Sequence, residues 1–97
     1  DPLARMSCLS STYAEMTGIV MEAADRLCGG RVVAVHEGGY SEAYVPFCGH
    51  RVVEGLASIE SALADPFLPK FIEQQPTADH VAWQCAAIDR MAGNLGL

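Results

Sequence analysis

Tyr40, with Gly38 and Gly39 directly before it, is the side chain in this sequence best placed by type and spacing to do chemistry. A phenol offers one neutral hydroxyl donor, and paired glycines let the backbone turn sharply and approach a ligand closely. These residues end the stretch Arg31-Val32-Val33-Ala34-Val35-His36-Glu37-Gly38-Gly39-Tyr40. Val32 to Val35 are apolar on both faces and read as a buried strand of a parallel sheet. In open α/β sheets, ligands gather at the carboxyl ends of strands, where Glu37 to Tyr40 would sit. The same spacing also fits an ordinary strand-to-helix turn with Tyr40 as a half-buried packing aromatic. Spacing alone leaves both readings open.

The surrounding pattern supplies the elements that would position this turn. Tyr13, Met16, Val20, Ala23, Ala24 and Leu27 fall at helical spacing, with Glu15, Glu22, Asp25 and Arg26 largely opposite. Thr12 and Glu15 fit a capping box at the start, and Gly29-Gly30 fits the stop. Helix, glycine stop and buried strand make the αβ half of a βαβ unit, so Arg31 to His36 is predicted to be central and covered on both faces. Pro46 suits a first helical turn, which predicts a second helix from Pro46 to Ala57 burying Phe47, Val52, Val53 and Leu56. Asp65 to Pro69 and Gln74 to Pro76 are proline-punctuated and read as irregular connection. Thr77 or Asp79 opens a last helix to about Met91, with Val81, Gln84, Cys85, Ile88 and Met91 as its inner stripe.

Composition narrows the function. Hydrophobic residues make up 51% of the 97 residues and charged ones only 19%. A small domain has proportionally more surface and should lean polar. The imbalance predicts one slab of a larger α/β domain, with an obligate homo-oligomer as the open alternative. The start at Asp1 rather than methionine fits a fragment or a processed product. Net charge is -6 with a pI near 4.8, and no basic run exists for phosphate contacts, which disfavours nucleic acid. An acidic surface suits cationic substrates instead. No stretch reaches membrane-spanning length, so no membrane partner is expected.

Cys8, Cys28, Cys48 and Cys85 form no close pair and read as reduced, mostly buried thiols of a cytoplasmic protein. Cys48 and His50, or Asp25 and Cys28, start a metal spacing that nothing completes, so no metal ligand is assigned in this chain. His36 reads as a core histidine, and His50 and His80 take no catalytic role. Glu37 reads as an acceptor stabilising the turn.

Ile19 to Ala57, and above all Ala23 to Ser41 with its Glu-Gly-Gly-Tyr centre, resembles the C-terminal part of zinc-dependent histone deacetylase-like enzymes. The likeness is strongest to the bacterial class II and acetylpolyamine amidohydrolase branch. Asp1-Pro2-Leu3-Ala4-Arg5-Met6 is similar to the segment after that family's last zinc-ligating aspartate. The resemblance runs from residue 1 to about 65 and more loosely over 66–97.

The resemblance implies the C-terminal fragment of an arginase/deacetylase-type, three-layer, parallel-sheet α/β fold, with helices flanking one buried strand. It implies a zinc-dependent amidohydrolase acting on acetyl-lysine or acetylpolyamine-type substrates, with acetoin-utilisation-type relatives sharing the chemistry. In that family zinc polarises the acetyl carbonyl, and a tyrosine of the glycine-rich turn donates to the oxyanion. Tyr40 matches that tyrosine, and Gly38 and Gly39 match the turn shaping the pocket wall. Some animal class II relatives carry histidine there and act weakly on acetyl-lysine, so Tyr40 favours an active parent. His36 stands where many relatives have leucine. The zinc ligands are expected upstream of Asp1, so this chain alone is expected to be inactive. The rival reading is a non-catalytic truncated module that oligomerises or binds a partner.

Overall fold

The computed structural model describes residues 1–5 and 7–97, leaving Met6, part of the opening segment, outside the described residues. After a 3-10 turn at Pro2–Ala4, four helices follow: α1 (Ser10–Cys28), α2 (Val45–Ala57), α3 (Leu68–Glu73) and α4 (Ala78–Leu95). No strand occurs among the described residues, which overturns the predicted parallel sheet. Residues 31–41 link α1 to α2 without regular structure, and Val33 is 88% exposed. The physical reason is the lack of a pairing partner. A strand exists only through ladder bonds to a partner, and no second strand is present here to supply them.

The helices begin and end largely where their punctuation dictates. α1 closes at Gly29 in the left-handed conformation, its N–H on the Ala24 carbonyl. Its start differs from the capping-box expectation. Leu9 is the N-cap without a side-chain bond, so Thr12 and Glu15 lie inside the helix. Pro46 sits in the first turn of α2, as its fixed φ favours. α2 packs on α1, and the contact explains a glycine. A Cβ on Gly55 would come within 2.6 Å of Thr17 Cγ2, so only glycine lets the buried Thr17 approach.

The core gathers at the start of α2 rather than along its predicted apolar face. Tyr44 is 1% exposed, with its ring centroid 4.1 Å from that of Phe71 on α3. Cys48, one turn further along α2, completes the buried cluster, with Leu9, Tyr13 and Phe67 packed against it. The Tyr44 hydroxyl donates to the Cys8 carbonyl at 3.0 Å. Burial pushes the Tyr44 phenol and the Cys48 thiol above their ordinary pKa values.

Polar clips fasten the proline-rich segment to the front of the chain. Ser10 Oγ donates to Asp65 Oδ2 at 2.6 Å, while Asp65 Oδ1 accepts the Phe67 N–H at 2.9 Å. Gln75 Nε2 donates to the Ser7 carbonyl at 2.9 Å and to the Phe71 carbonyl at 3.0 Å. α3 lies within the proline-punctuated stretch that reads as irregular connection. Pro69 occupies its first turn, where a missing N–H costs nothing, and Phe71 supplies the burial that holds six residues helical.

Other expectations also yield. Val53 is exposed, and Phe47, Val52 and Leu56 are only half-buried. α4 starts after Thr77 as read but runs on to Leu95, and its intended inner stripe buries nothing. Of the cysteines only Cys48 is buried, and Cys85 is exposed. No helix among the described residues is long and apolar enough to cross a membrane.

Two substitutions test this core. Phe71→Ala is expected to cost about 3–5 kcal/mol, the usual loss for deleting a buried ring. Tyr44→Phe keeps the ring and removes one hydrogen bond, so about 1 kcal/mol is expected. Urea denaturation followed by helical circular dichroism gives both values. A Phe71→Ala protein as stable as the parent would refute the cluster as the core.

Candidate active site at the Gly38–Gly39–Tyr40 turn

The segment leaving α1 first runs beside both long helices. Val32 to Ala34 form one wall of an open apolar trough of about 190 Å³, facing Met16 and Val20 of α1 and Val52 and Leu56 of α2. Beyond it the backbone reverses through Gly38 at φ 63° and Gly39 at φ 75°, a left-handed pair that residues with a Cβ adopt only at a cost. Gly39 is also crowded. A Cβ there would lie 2.5 Å from His36 Nε2 and 3.0 Å from Val45 Cγ1. His36 is thus no core histidine: it is exposed, with its ring turned back over the turn. Glu37 is exposed as well.

Tyr40 emerges from this turn 72% exposed, so the alternative of a half-buried packing aromatic does not hold. Its backbone N–H donates to Asp1 Oδ2. The other carboxylate oxygen, Asp1 Oδ1, accepts the Leu3 N–H at 3.0 Å and caps the Pro2–Ala4 turn. Gly38, Gly39 and Tyr40 therefore share one turn, with His36 and Asp1 beside it. An Asp-Pro start signals a helical cap to sequence reasoning. The bond to Tyr40 spans 39 positions and leaves no such signal.

The histidines away from the turn are occupied otherwise. His80 stacks on Trp83 with ring centroids 5.8 Å apart. His50 Nε2 lies 2.8 Å from Ser61 Oγ and 3.3 Å from Glu54 Oε1, a serine–histidine–acid grouping. Its geometry is not that of a triad, in which the imidazole meets the nucleophile through one nitrogen and the acid through the other. Here one nitrogen faces both. Glu54 also accepts the Ser61 N–H at 2.7 Å and Arg51 Nη1 at 2.8 Å, which ties the chain after α2 back onto that helix. These bonds, those from Ser61 first, hold the Glu54 carboxyl at about 2, below its ordinary 4.5.

Among the described residues, no three His, Cys, Asp or Glu side chains come together as a metal site. The described residues offer no zinc centre of their own.

Tyr40 thus presents an exposed phenol on a glycine-built turn anchored through its backbone N–H. The chain is 52% identical to a histone deacetylase-like amidohydrolase of Pseudomonas aeruginosa across its whole length, covering 26% of that protein. It is 34% identical to a probable deacetylase of Archaeoglobus fulgidus, with 74% of the chain aligned to 21% of that protein. Against histone deacetylase 8 of Arabidopsis thaliana, 68% of the chain aligns at 36% identity, covering 18% of that protein. The chain belongs to the histone deacetylase-like family. It spans about a quarter or less of the length of these relatives. No protein-family model matches it.

Two measurements probe the local structure. Gly38→Ala should cost about 1–2 kcal/mol for a left-handed alanine. Gly39→Ala should cost more, since its methyl also meets Val45 Cγ1 at 3.0 Å, while the exposed His36 ring can swing clear. Equal losses at the two glycines would contradict the packing. The Glu54 carboxylate contributes stability fully above pH 4.5 and loses it as pH falls toward 2, because its pKa is lowered on folding. The stability gap between the parent and Glu54→Gln should therefore shrink across that window in urea titrations. A gap that is flat with pH would contradict the bonding at Glu54.

Proposed function

We propose that this chain is the C-terminal portion of a zinc-dependent deacetylase and that Tyr40 is its oxyanion-stabilising donor. The substrate is an acetylated amine, an acetyl-lysine peptide or an acetylpolyamine. The observation that carries the reading is Tyr40 itself: an exposed phenol on a left-handed Gly-Gly turn in a chain of deacetylase relatives. Gly38 and Gly39 line the substrate side of the turn in this proposal.

The reaction is amide hydrolysis. Water oxygen adds to the acetyl carbonyl carbon, and the carbonyl π electrons move onto oxygen as the tetrahedral species forms. The Tyr40 O–H donates a hydrogen bond to that oxygen as its charge develops. Collapse re-forms the carbonyl and breaks the C–N bond, and the nitrogen takes up both protons of the water, so the products are acetate and the ammonium form of the amine. A neutral donor fixed in advance of the reaction stabilises this charge without reorganising. The net charge of -6 favours cationic amine substrates. The zinc ion of the family is held, in this proposal, by residues outside this chain, so the 97-residue chain by itself binds no stoichiometric zinc and turns over no substrate.

In the complete enzyme, Tyr40→Phe is expected to lower kcat by about 10²–10³, the typical loss of one oxyanion donor. KM and melting temperature should move little, because the hydrogen bond strengthens mainly in the transition state. Acetate release from an acetyl-lysine peptide and from an acetylated polyamine supplies the assay. A Phe variant with the parent's kcat would remove Tyr40 from the chemistry.

A further inference from the structure

We propose that Asp1 is a positioning residue for Tyr40, its carboxylate fixing the backbone from which the phenol projects. The inference rests on the reading of Tyr40 as the oxyanion donor. A Gly-Gly pair gives the chain more conformational freedom than any other dipeptide, and Tyr40 follows two such residues. Its exposed ring has little packing of its own to fix the hydroxyl. The position of the donor is therefore set by its backbone.

Asp1 is built to hold that backbone. Its two oxygens have separate duties, Oδ2 on the Tyr40 N–H and Oδ1 on the Leu3 N–H at 3.0 Å. The Asp1 carbonyl accepts the Ala4 N–H at 3.1 Å, and Pro2 follows with a fixed φ, so the carboxylate stands on a rigid turn. A carboxylate is the fitting group, because it accepts at both oxygens and charge strengthens each bond. An amide at this position would set its NH₂ against one of the two N–H donors. On the far side, Val45 Cγ1 and the exposed His36 ring lie beside Gly39.

The test is a double-mutant cycle in the full-length enzyme. Asp1→Ala should lower kcat by about 10- to 100-fold with KM nearly unchanged, the scale of a misplaced catalytic group. Asp1→Asn should fall between parent and Ala. Asp1→Ala combined with Tyr40→Phe should be no slower than Tyr40→Phe alone, because the carboxylate acts only through the phenol. Independently of turnover, the Tyr40 amide in ¹⁵N-resolved spectra should lose its downfield shift and exchange faster with solvent in Asp1→Ala. A Tyr40→Phe loss with a further, multiplicative Asp1→Ala loss overturns the positioning role alone. So does an unchanged Tyr40 amide. A Tyr40→Phe enzyme with the parent's kcat overturns the donor reading, and the positioning role with it.

Discussion

The burial of Tyr44 is the constraint on which the described structure turns. Its ring fills the only cluster of buried apolar side chains among the described residues, and its hydroxyl must then find a partner inside. The Cys8 carbonyl is that partner, so satisfying one phenol draws the segment before α1 against the start of α2. Phe71 covers the same ring from α3, and Asp65 and Gln75 fasten the intervening loop to Ser10 and Ser7. The Tyr44–Phe71 contact and these two bonds together hold the proline-rich segment against the front of the chain. The Tyr44 N–H and the Val45 N–H also close onto the Ser41 carbonyl at 3.2 and 3.0 Å, which fixes the residue next to Tyr40. Two tyrosines one helical turn apart in sequence have opposite environments, one buried and bonded, the other in solvent.

The small core accounts for the exposure elsewhere. Half of the residues are hydrophobic, yet α4 buries none of its own, and Val33, Val35 and Leu27 stand in water. Monomeric surfaces carry scattered apolar atoms as a matter of course, but rarely whole helix stripes. The chain has more apolar surface than its own packing covers. That agrees with its spanning about a quarter of the Pseudomonas aeruginosa relative.

What the sequence revealed follows from what local rules encode. Gly29, Pro46 and Thr77 mark helix ends because capping and φ restriction act within a few residues, and those boundaries stand near where they were read. The Val32 to Val35 run misleads because apolarity reports only a need for cover. Whether a strand forms depends on a partner that no local rule supplies. Phe71 and Tyr44 carry no local signal of burial because they cover each other from separate elements and the Tyr44 hydroxyl bonds Cys8, 36 positions away. The family resemblance, by contrast, was legible, since the Glu-Gly-Gly-Tyr centre and its flanking helix are contiguous.

The turn that carries Tyr40 needs its constraints from elsewhere for the same reason. Glycine makes the left-handed pair affordable, but it cannot hold a conformation, because it has no side chain to pack. Rigidity must come from neighbours: the Asp1 carboxylate at the Tyr40 N–H, Val45 at Gly39, and beyond them the buried Tyr44. A donor intended for developing charge has to be fixed before the charge appears, or reorganisation consumes its benefit. In the proposed reading, the exposed phenol and its anchored backbone are therefore one arrangement: solvent-side access for a substrate oxygen, with the cost of order met by groups that never touch it.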